Sequence, residues 1–444
     1  MTMRSRIARL QSTLPSTLSP DGRWVDRAGF ASIAVAVVAV GYLQGTTPIA
    51  VHLDVLAWTV SLVVLPAALS CLSFSGFLSA SGLALFAELR RTDPPATVPR
   101  DGPRVDAVVP VYRDAAVLHR SVETLLDSDY ENLVVHVVCE AADAVSRRRA
   151  EELATHDRVE CHVNTHDPGS KAGAINGVAA ATDGAYLAVF DADERVDPAF
   201  VPTAVARLAE RDVVQGRTVP EPDGLVETAA YYESILLGKL THRLLGWVTG
   251  FRMAASRAVV MRRSAFETVD GYDPAMLTED FDFAVRCYEA KLDVVESFDH
   301  PSLIEAAHSP RDWWGQRKRW MTGYAQVCHR QLATLDRSIR SLLALAVTAG
   351  TVLGNLLLLS LVSKVAVVAL AGAGYALAAP VVTASAVALT ARIHDVTNDR
   401  LPAVGLGWLF APLLLPLYGL AGIKGTVEYC SSWDGGWYHA AKGV

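Results

Sequence analysis

The chain has 444 residues, enough for roughly two or three domain-sized units, and 51% of them are hydrophobic, so membrane spans must be sought before soluble folds. A formal net charge of −7, with acids in excess between Arg91 and Arg330, argues against a basic nucleic-acid-binding surface. The cysteines (Cys71, Cys139, Cys161, Cys287, Cys328 and Cys430) show neither zinc-finger nor redox spacing, which excludes a disulfide framework and fits a reducing compartment.

Residues 28–51 and 55–87 carry no charged side chain apart from the gap His52-Leu53-Asp54, and each exceeds the ~20 residues that cross a bilayer core. Arg4, Arg6, Arg9, Arg23 and Arg27 precede the first stretch, and Arg90, Arg91, Arg100 and Arg104 follow the second. The positive-inside rule puts both flanks in the cytoplasm. A cleaved signal peptide is the rival for the first stretch, but its apolar run starts late and is long, which points to an anchor. The expectation is a cytoplasmic segment over 1–27 and two transmembrane helices within 28–88.

Residues 104–330 alternate short Val-rich runs with polar, Ala-rich stretches. Residues 105–112, 133–138 and 185–190 read as buried parallel strands, and 116–128 and 170–182 as crossover helices. That is a doubly wound α/β pattern, which binds ligands at the carboxyl ends of its strands. Residues 225–248 read as an amphipathic stretch, either a packing helix or one lying at the bilayer surface.

Beyond it, residues 341–393 are long enough for two crossings, with a turn near 372–374 and Lys364 able to snorkel to an interface. Residues 401–423 are apolar but contain Pro402, Pro412 and Pro416, so a further crossing and a re-entrant or interfacial segment both remain open. The C-terminal membrane region is expected over 338–424 and a tail over 425–444.

Three clusters carry candidate chemistry. Asp191-Ala192-Asp193 ends a strand, and carboxylates so spaced can share Mg²⁺ or Mn²⁺ with a diphosphate. A solvated turn or helix cap explains the same residues, and Asp280-Phe281-Asp282 repeats the spacing. Thr278-Glu279-Asp280 precedes a helical stretch, where a carboxylate either caps the helix or removes a proton from an acceptor hydroxyl. Gln316-Arg317-Lys318-Arg319-Trp320, after Trp313 and Trp314, offers guanidinium groups for a diphosphate and flat rings for a sugar. An interfacial aromatic belt accounts for it equally.

In this order the motifs resemble the membrane-integrated family 2 glycosyltransferases, the group of cellulose, hyaluronan and poly-N-acetylglucosamine synthases. The resemblance covers residues 104–330, through "VDAVVPVYRD", "SKAGAIN", "FDADERVDP", "GYDPAMLTEDFDFAVR" and "WWGQRKRWMTGYAQ". It implies an α/β GT-A-like cytoplasmic domain joined to an α-helical transmembrane domain in a multi-pass protein of the cell membrane. The implied activity is metal-dependent, inverting transfer from a nucleotide-sugar, a UDP-sugar in the first instance, to a growing glycan. The alternative acceptor is a lipid, and a non-catalytic scaffold or transporter is the reading from another class. By resemblance, Asp280 is the general base. Asp106, Lys171, Asp191, Asp193 and Arg319 hold the donor, with Asp191 and Asp193 taking Mg²⁺ or Mn²⁺. Glu279, Gln316 and Trp320 meet the acceptor. The second strand, which usually ends in a pair of acids, here reads Cys139-Glu140-Ala141-Ala142-Asp143, so Glu140 is the expected replacement and Asp143 its alternative. Trp437-Tyr438-His439 resembles a membrane-proximal closing segment. Membrane lipids, a second copy of the chain or a small membrane protein are the further partners this reading admits.

Overall fold

The Val-rich runs do pair as strands. The computed structural model describes residues 22–55, 58–90, 97–336, 338–372, 374–432, 438–440 and 442–443. Residues 1–21, including Arg4, Arg6 and Arg9, lie outside the described residues, as do Arg91 and Trp437.

A seven-stranded sheet is built from β3 (Val105–Val111), β4 (Leu133–Cys139), β5 (Val159–Val163), β6 (Tyr186–Val189), β7 (Val213–Pro220), β8 (Val259–Arg262) and β9 (Val294–Ile304). Its order is β5-β4-β3-β6-β8-β7-β9. Strands β5, β4, β3 and β6 run parallel, β8 lies antiparallel to β6 and β7, and β9 returns parallel to β7. The sheet is therefore GT-A-like and mostly parallel. Helices Leu118–Leu126, Ala144–Leu153 and Lys171–Ala181 provide the crossovers that parallel pairing requires.

Both faces of the sheet are covered, which is why its strands read as continuous apolar runs rather than alternating ones. Side chains still alternate across the sheet. Val108, Leu187 and Val189 pack with Ile175, Phe281 and Phe283 on one side. Ala107, Val109, Val135 and Val137 pack with Leu118, Leu125 and Phe200 on the other.

The N-terminal apolar region departs from two clean spans. Helix Gly22–Thr46 is followed by an antiparallel ribbon, β1 (Ile49–Val55) and β2 (Trp58–Val64), and only then by helix Pro66–Arg90. Val, Ile and Thr suit strands, and Pro66 is placed well at the first turn of a helix, so the apolar run divides there. Helices Ile339–Leu370 and Gly374–Thr397 meet at a turn where Gly372 has φ +70°. The proline-rich stretch forms two short 3₁₀ turns, Gly407–Leu409 and Ala411–Leu413, before helix Leu414–Ser432. Among the described residues three helices are long and apolar enough to cross a membrane: Trp24–Thr46, Pro66–Arg90 and Ile339–Leu370.

The stretch 225–248 is divided into helix Leu225–Glu233, a π-helical turn Ser234–Lys239 and helix Leu240–Thr249. Tyr231, Tyr232, Ile235 and Leu236 are buried against Leu78, Leu85 and Ala388, so its apolar side packs on other helices. Close backbone approach joins helix Leu414–Ser432 to its neighbours. A Cβ on Gly425 would lie 2.5 Å from the Lys318 carbonyl, and one on Gly422 would lie 2.2 Å from the Asn355 side chain. Small residues at such crossings let helices pack without a hydrophobic driving force.

One buried ion pair ties the sheet to the helices. Arg217 on β7 donates two hydrogen bonds to Asp395, at 2.7 and 2.6 Å, and Tyr231 donates a third at 2.7 Å. Both partners are buried. Removing one member of such a pair typically costs about 3–5 kcal/mol, because the other charge is left uncompensated, whereas replacing both by apolar groups is often near neutral. Asp395→Ala is expected to lower the melting temperature of the detergent-purified protein markedly, and Arg217→Met with Asp395→Leu to restore most of it. An Asp395→Ala protein melting with the wild type would reject this account of the joint.

Candidate active site

Parallel strands deliver their carboxyl ends to one edge, and the acidic motifs gather there. Asp191 lies two residues beyond β6, Glu140 follows β4, and Tyr112 and Arg113 follow β3. Lys171 opens helix Lys171–Ala181, which is capped by Ser170 accepting from the Gly173 N–H at 3.2 Å. Its ammonium donates to Asp191 Oδ1 at 2.6 Å. Burial works to raise the Asp191 carboxyl, but Lys171, Lys442 and Arg257 outweigh it and hold the group well below the usual carboxylate range.

Asp193 is almost fully buried and accepts twice: from the Glu305 N–H at 2.9 Å and from the Lys442 ammonium at 2.5 Å. Glu194 is also buried, and its Oε2 accepts from the Asp191 N–H at 3.0 Å. Burial, then the charge of Asp191, pushes its carboxyl up to about 8, so it keeps its proton at neutral pH.

The second motif enters from helix Glu279–Glu289, whose N-cap is Thr278; the Thr278 side chain makes no capping bond and instead fills the space beside Gly323. Glu279 is buried and accepts from the Ser256 hydroxyl at 3.0 Å. Burial and the neighbouring Asp280 raise its carboxyl against the pull of Lys171 and Arg319. Asp280 is only half-buried.

Helix Pro310–Thr334 carries the third motif. Burial lowers the Arg319 guanidinium from its usual value, opposed by Glu279, Asp280, Tyr324 and Asp191. Lys171, Asp191, Glu279, Asp280 and Arg319 therefore share one electrostatic neighbourhood. Arg317, two residues before Arg319, is turned to structure. Arg317 donates from Nε to both oxygens of buried Glu233 at 2.9 Å, and Trp313 Nε1 donates to the same carboxylate at 2.5 Å. The Arg317 guanidinium stands 4.7 Å from the centre of the Trp320 ring, and Gln316 Oε1 accepts from it at 2.7 Å.

Asp106 is not in this group, which corrects its assignment to the donor site. It is the second residue of β3, at the amino end, and fully buried. Arg104 donates to its Oδ1 at 2.7 Å, and Arg263 and the Gly184 N–H donate to its Oδ2 at 2.8 and 2.9 Å. Burial works to raise its carboxyl, but hydrogen bonds from His136 and Thr182 and the Arg104 charge outweigh it and hold the group low. Position along the strand, rather than residue type, decides this.

Glu140 fastens the loop that leads to Lys171. It accepts from the Gly169 N–H at 2.8 Å and from Asn164 Nδ2 at 2.7 Å, and Gly169 has φ +82°. Its alternative, Asp143, is committed to a cap on helix Ala144–Leu153 and to the Arg113 N–H, at 3.1 and 2.5 Å.

The C-terminal tail also reaches this edge, which sequence reasoning did not anticipate for Lys442. Tyr438 donates to Asp312 at 2.8 Å, His439 Nε2 lies 3.0 Å from the Tyr112 carbonyl, and the Gly443 N–H donates to Glu305 at 2.7 Å. Arg257, Glu194 and Lys442 were all missed. Lys442 is one of few lysines in an Arg-rich chain, and Glu194 adjoins the motif; Arg257 carried no signal. A separate cavity of about 680 Å³, beside Glu88, Arg207, Arg243 and Glu296, contains none of the clustered carboxylates.

Residues 186–391 match the model of Glycosyl transferase family group 2. The match runs from β6 through most of helix Gly374–Thr397 and so includes Asp191, Asp193, Glu279, Asp280 and Arg319. The beta-monoglucosyldiacylglycerol synthases of Trichormus variabilis and Nostoc sp. are each 24% identical over 230 residues, 50% of this chain and 49% of theirs. The chain thus spans about half the length of the curated relatives it matches. Among solved structures, a mannosyltransferase from Pyrobaculum calidifontis in complex with GDP-Man and Mn²⁺ is 17% identical, with a TM-score of 0.49, over 79% of this chain and 99% of that one. S. aureus TarS 1–349 in complex with UDP-GlcNAc is 11% identical, with a TM-score of 0.43, over 74% and 91%.

The role found for Glu140 has a direct consequence. Glu140→Ala releases the Gly169 N–H and the Asn164 amide. Amide exchange across residues 164–170 should then speed up about tenfold, the factor that a loss of ~1.4 kcal/mol in hydrogen bonding implies. Unchanged exchange in that loop would reject the role.

Proposed function

We propose that this chain is a membrane-bound glycosyltransferase that moves a sugar, with inversion, from a nucleotide-sugar to an acceptor hydroxyl at the cytoplasmic face of the bilayer. The single observation that carries the reading is the shared neighbourhood of Lys171, Asp191, Glu279, Asp280 and Arg319 at the carboxyl edge of the sheet. The family match over residues 186–391, which takes in all of these but Lys171, supports it. Three apolar helices, together with arginines on both sides of the first two, support the membrane setting.

In this reading the acceptor oxygen forms a bond to the anomeric carbon as the bond from that carbon to the diphosphate oxygen breaks. Asp280 takes the acceptor proton. It suits that role better than Glu279, which is more deeply buried and already accepts a hydrogen bond from Ser256. The leaving nucleoside diphosphate gathers negative charge, and Lys171 and Arg319 are the cations positioned to meet it. Glu279, beside Asp280, and Trp320, beside Arg317, line the approach of the acceptor.

The donor set at Asp191 and Asp193 suits Mg²⁺ or Mn²⁺, because carboxylate oxygens are hard ligands. The Lys442 ammonium against Asp193, with Asp191 nearby, supports a cation at this carboxylate pair. A divalent ion held there would supply Lewis-acid stabilisation of the leaving diphosphate. Lys442 would have to release Asp193 for it to bind.

A lipid hydroxyl is the acceptor favoured here, since the two curated relatives are named for making a glucosyl lipid. A growing glycan is the second reading, and part-buried Trp320, on the same helix as Arg319, is what favours it, because aromatic faces suit sugar rings. Product mass after incubation in lipid separates the two: one lipid-linked sugar or a ladder of lengthening chains.

Asp280→Asn should lower transfer by about 10²–10⁴, the usual worth of a positioned base, while displacement of a fluorescent nucleotide stays at wild-type affinity. Transfer by Asp280→Asn at the wild-type rate would remove Asp280 from the role.

A further inference from the structure

Away from the acidic edge, three metal-ligating side chains converge on one face of the sheet. His136 is the fourth residue of β4, and Glu160 and His162 lie at alternate positions of the neighbouring edge strand β5. His136 pairs directly with Glu160 in the parallel register, so alternation sends all three to the same face. Cys161, between the two β5 ligands, turns to the opposite face.

The ligand atoms form a nearly equilateral triangle. His136 Nδ1 is 3.0 Å from His162 Nε2, and Glu160 Oε2 is 3.4 Å from each of those nitrogens. A tetrahedral ion with ligands at 2.0–2.1 Å sets its ligands ~3.3 Å apart. Hydrogen bonding accounts for the arrangement only in part. The two imidazoles can share one proton, but the carboxylate oxygen stands 3.4 Å from both nitrogens, longer than a good hydrogen bond.

The supporting shell is also in place. The other nitrogen of His136, Nε2, lies 3.2 Å from Oδ1 of fully buried Asp106. Donation of the Nε2–H to that carboxylate fixes the tautomer that leaves Nδ1 free to ligate. A metal-bound histidine almost always has such a partner. Arg104 and Arg263 hold Asp106 ionised and in position. His136 is fully buried, while His162 and Glu160 are 32% and 52% exposed, so the fourth position of a tetrahedral site opens to solvent.

We propose that His136, Glu160 and His162 bind a borderline divalent ion of the Zn²⁺ class, with water as the fourth ligand. Two imidazoles and one carboxylate suit such an ion better than Mg²⁺ or Mn²⁺, which take all-oxygen sets. The ion clips the edge strand β5 onto β4, and through His136 and Asp106 it reaches the Arg263 contacts on the far side of β3. This site is independent of the transfer chemistry and of the carboxylates at Asp191 and Asp193.

The test uses the full chain, purified in lipid nanodiscs with any polyhistidine tag removed, stripped with chelator, loaded with Zn²⁺ and desalted. Metal content is read by mass spectrometry, and Co²⁺ substitution by its visible absorption. Wild type should retain one equivalent of Zn²⁺ and give the intense visible bands of tetrahedral Co²⁺. His162→Gln and Glu160→Gln should lose both, and Asp193→Asn should keep both. Zn²⁺ should raise the melting temperature of wild type and Asp193→Asn but not of the two ligand variants. Glu160→Gln is conservative and half-exposed, so it serves if His162→Gln fails to fold. Wild-type retention no greater than that of Glu160→Gln, or loss of the ion in Asp193→Asn, overturns the proposal.

Discussion

Asp193, Glu194 and Glu279 lie buried at the carboxyl edge of the sheet, with Asp191 part-buried among them, and a protein interior tolerates such a group only with counter-charge supplied. Much of the surrounding structure answers that requirement. Lys171 arrives on a capped helix held by the Glu140-bound loop, Arg319 comes from the long helix Pro310–Thr334, and Lys442 comes from the far end of the chain. Glu194 answers differently: burial and the charge of Asp191 raise its carboxyl.

The same logic, turned to architecture, joins the sheet to the helices. Asp395 holds Arg217, and Glu233 holds Arg317 with Trp313, each charge buried and each fully engaged. Such pairs add little net stability compared with apolar packing. They do fix where the helices sit on the sheet, because a shift of one side chain strands the other. Arg317 and Arg319 lie two apart on one helix, so the pairing of Arg317 with Glu233 also sets how Arg319 is presented to the acidic edge.

The two ends of the parallel strands divide their work. At the carboxyl ends the carboxylates meet cations directly, Lys171 on Asp191 and Lys442 on Asp193. At the amino end Asp106 is enclosed by Arg104, Arg263, Gly184 and His136, and there it organises the sheet. Both ends use buried carboxylates, but only one leaves them near a half-exposed acid such as Asp280.

The strands and crossover helices around β3, β4 and β6 were legible because fully buried parallel strands are bound to read as Val-rich runs, with Ala-rich helices between them. The acidic motifs were legible because carboxylates beyond a buried strand must face a ligand or solvent. The β1–β2 ribbon was not, since a long apolar run looks the same whether it is helix or strand. The placement of Asp106 was misread because a motif says nothing of which end of its strand a residue occupies. Arg257 and the meeting of His136 with Glu160 and His162 had no local signature at all, and Lys442 had only its rarity as a lysine in an Arg-rich chain. Sequence alone determined the strands around β3, β4 and β6 and the crossover helices between them, because periodicity and composition are local. Which charges meet was decided only by the tertiary structure, because strand order and the path of the tail bring together residues as far apart as Asp193 and Lys442.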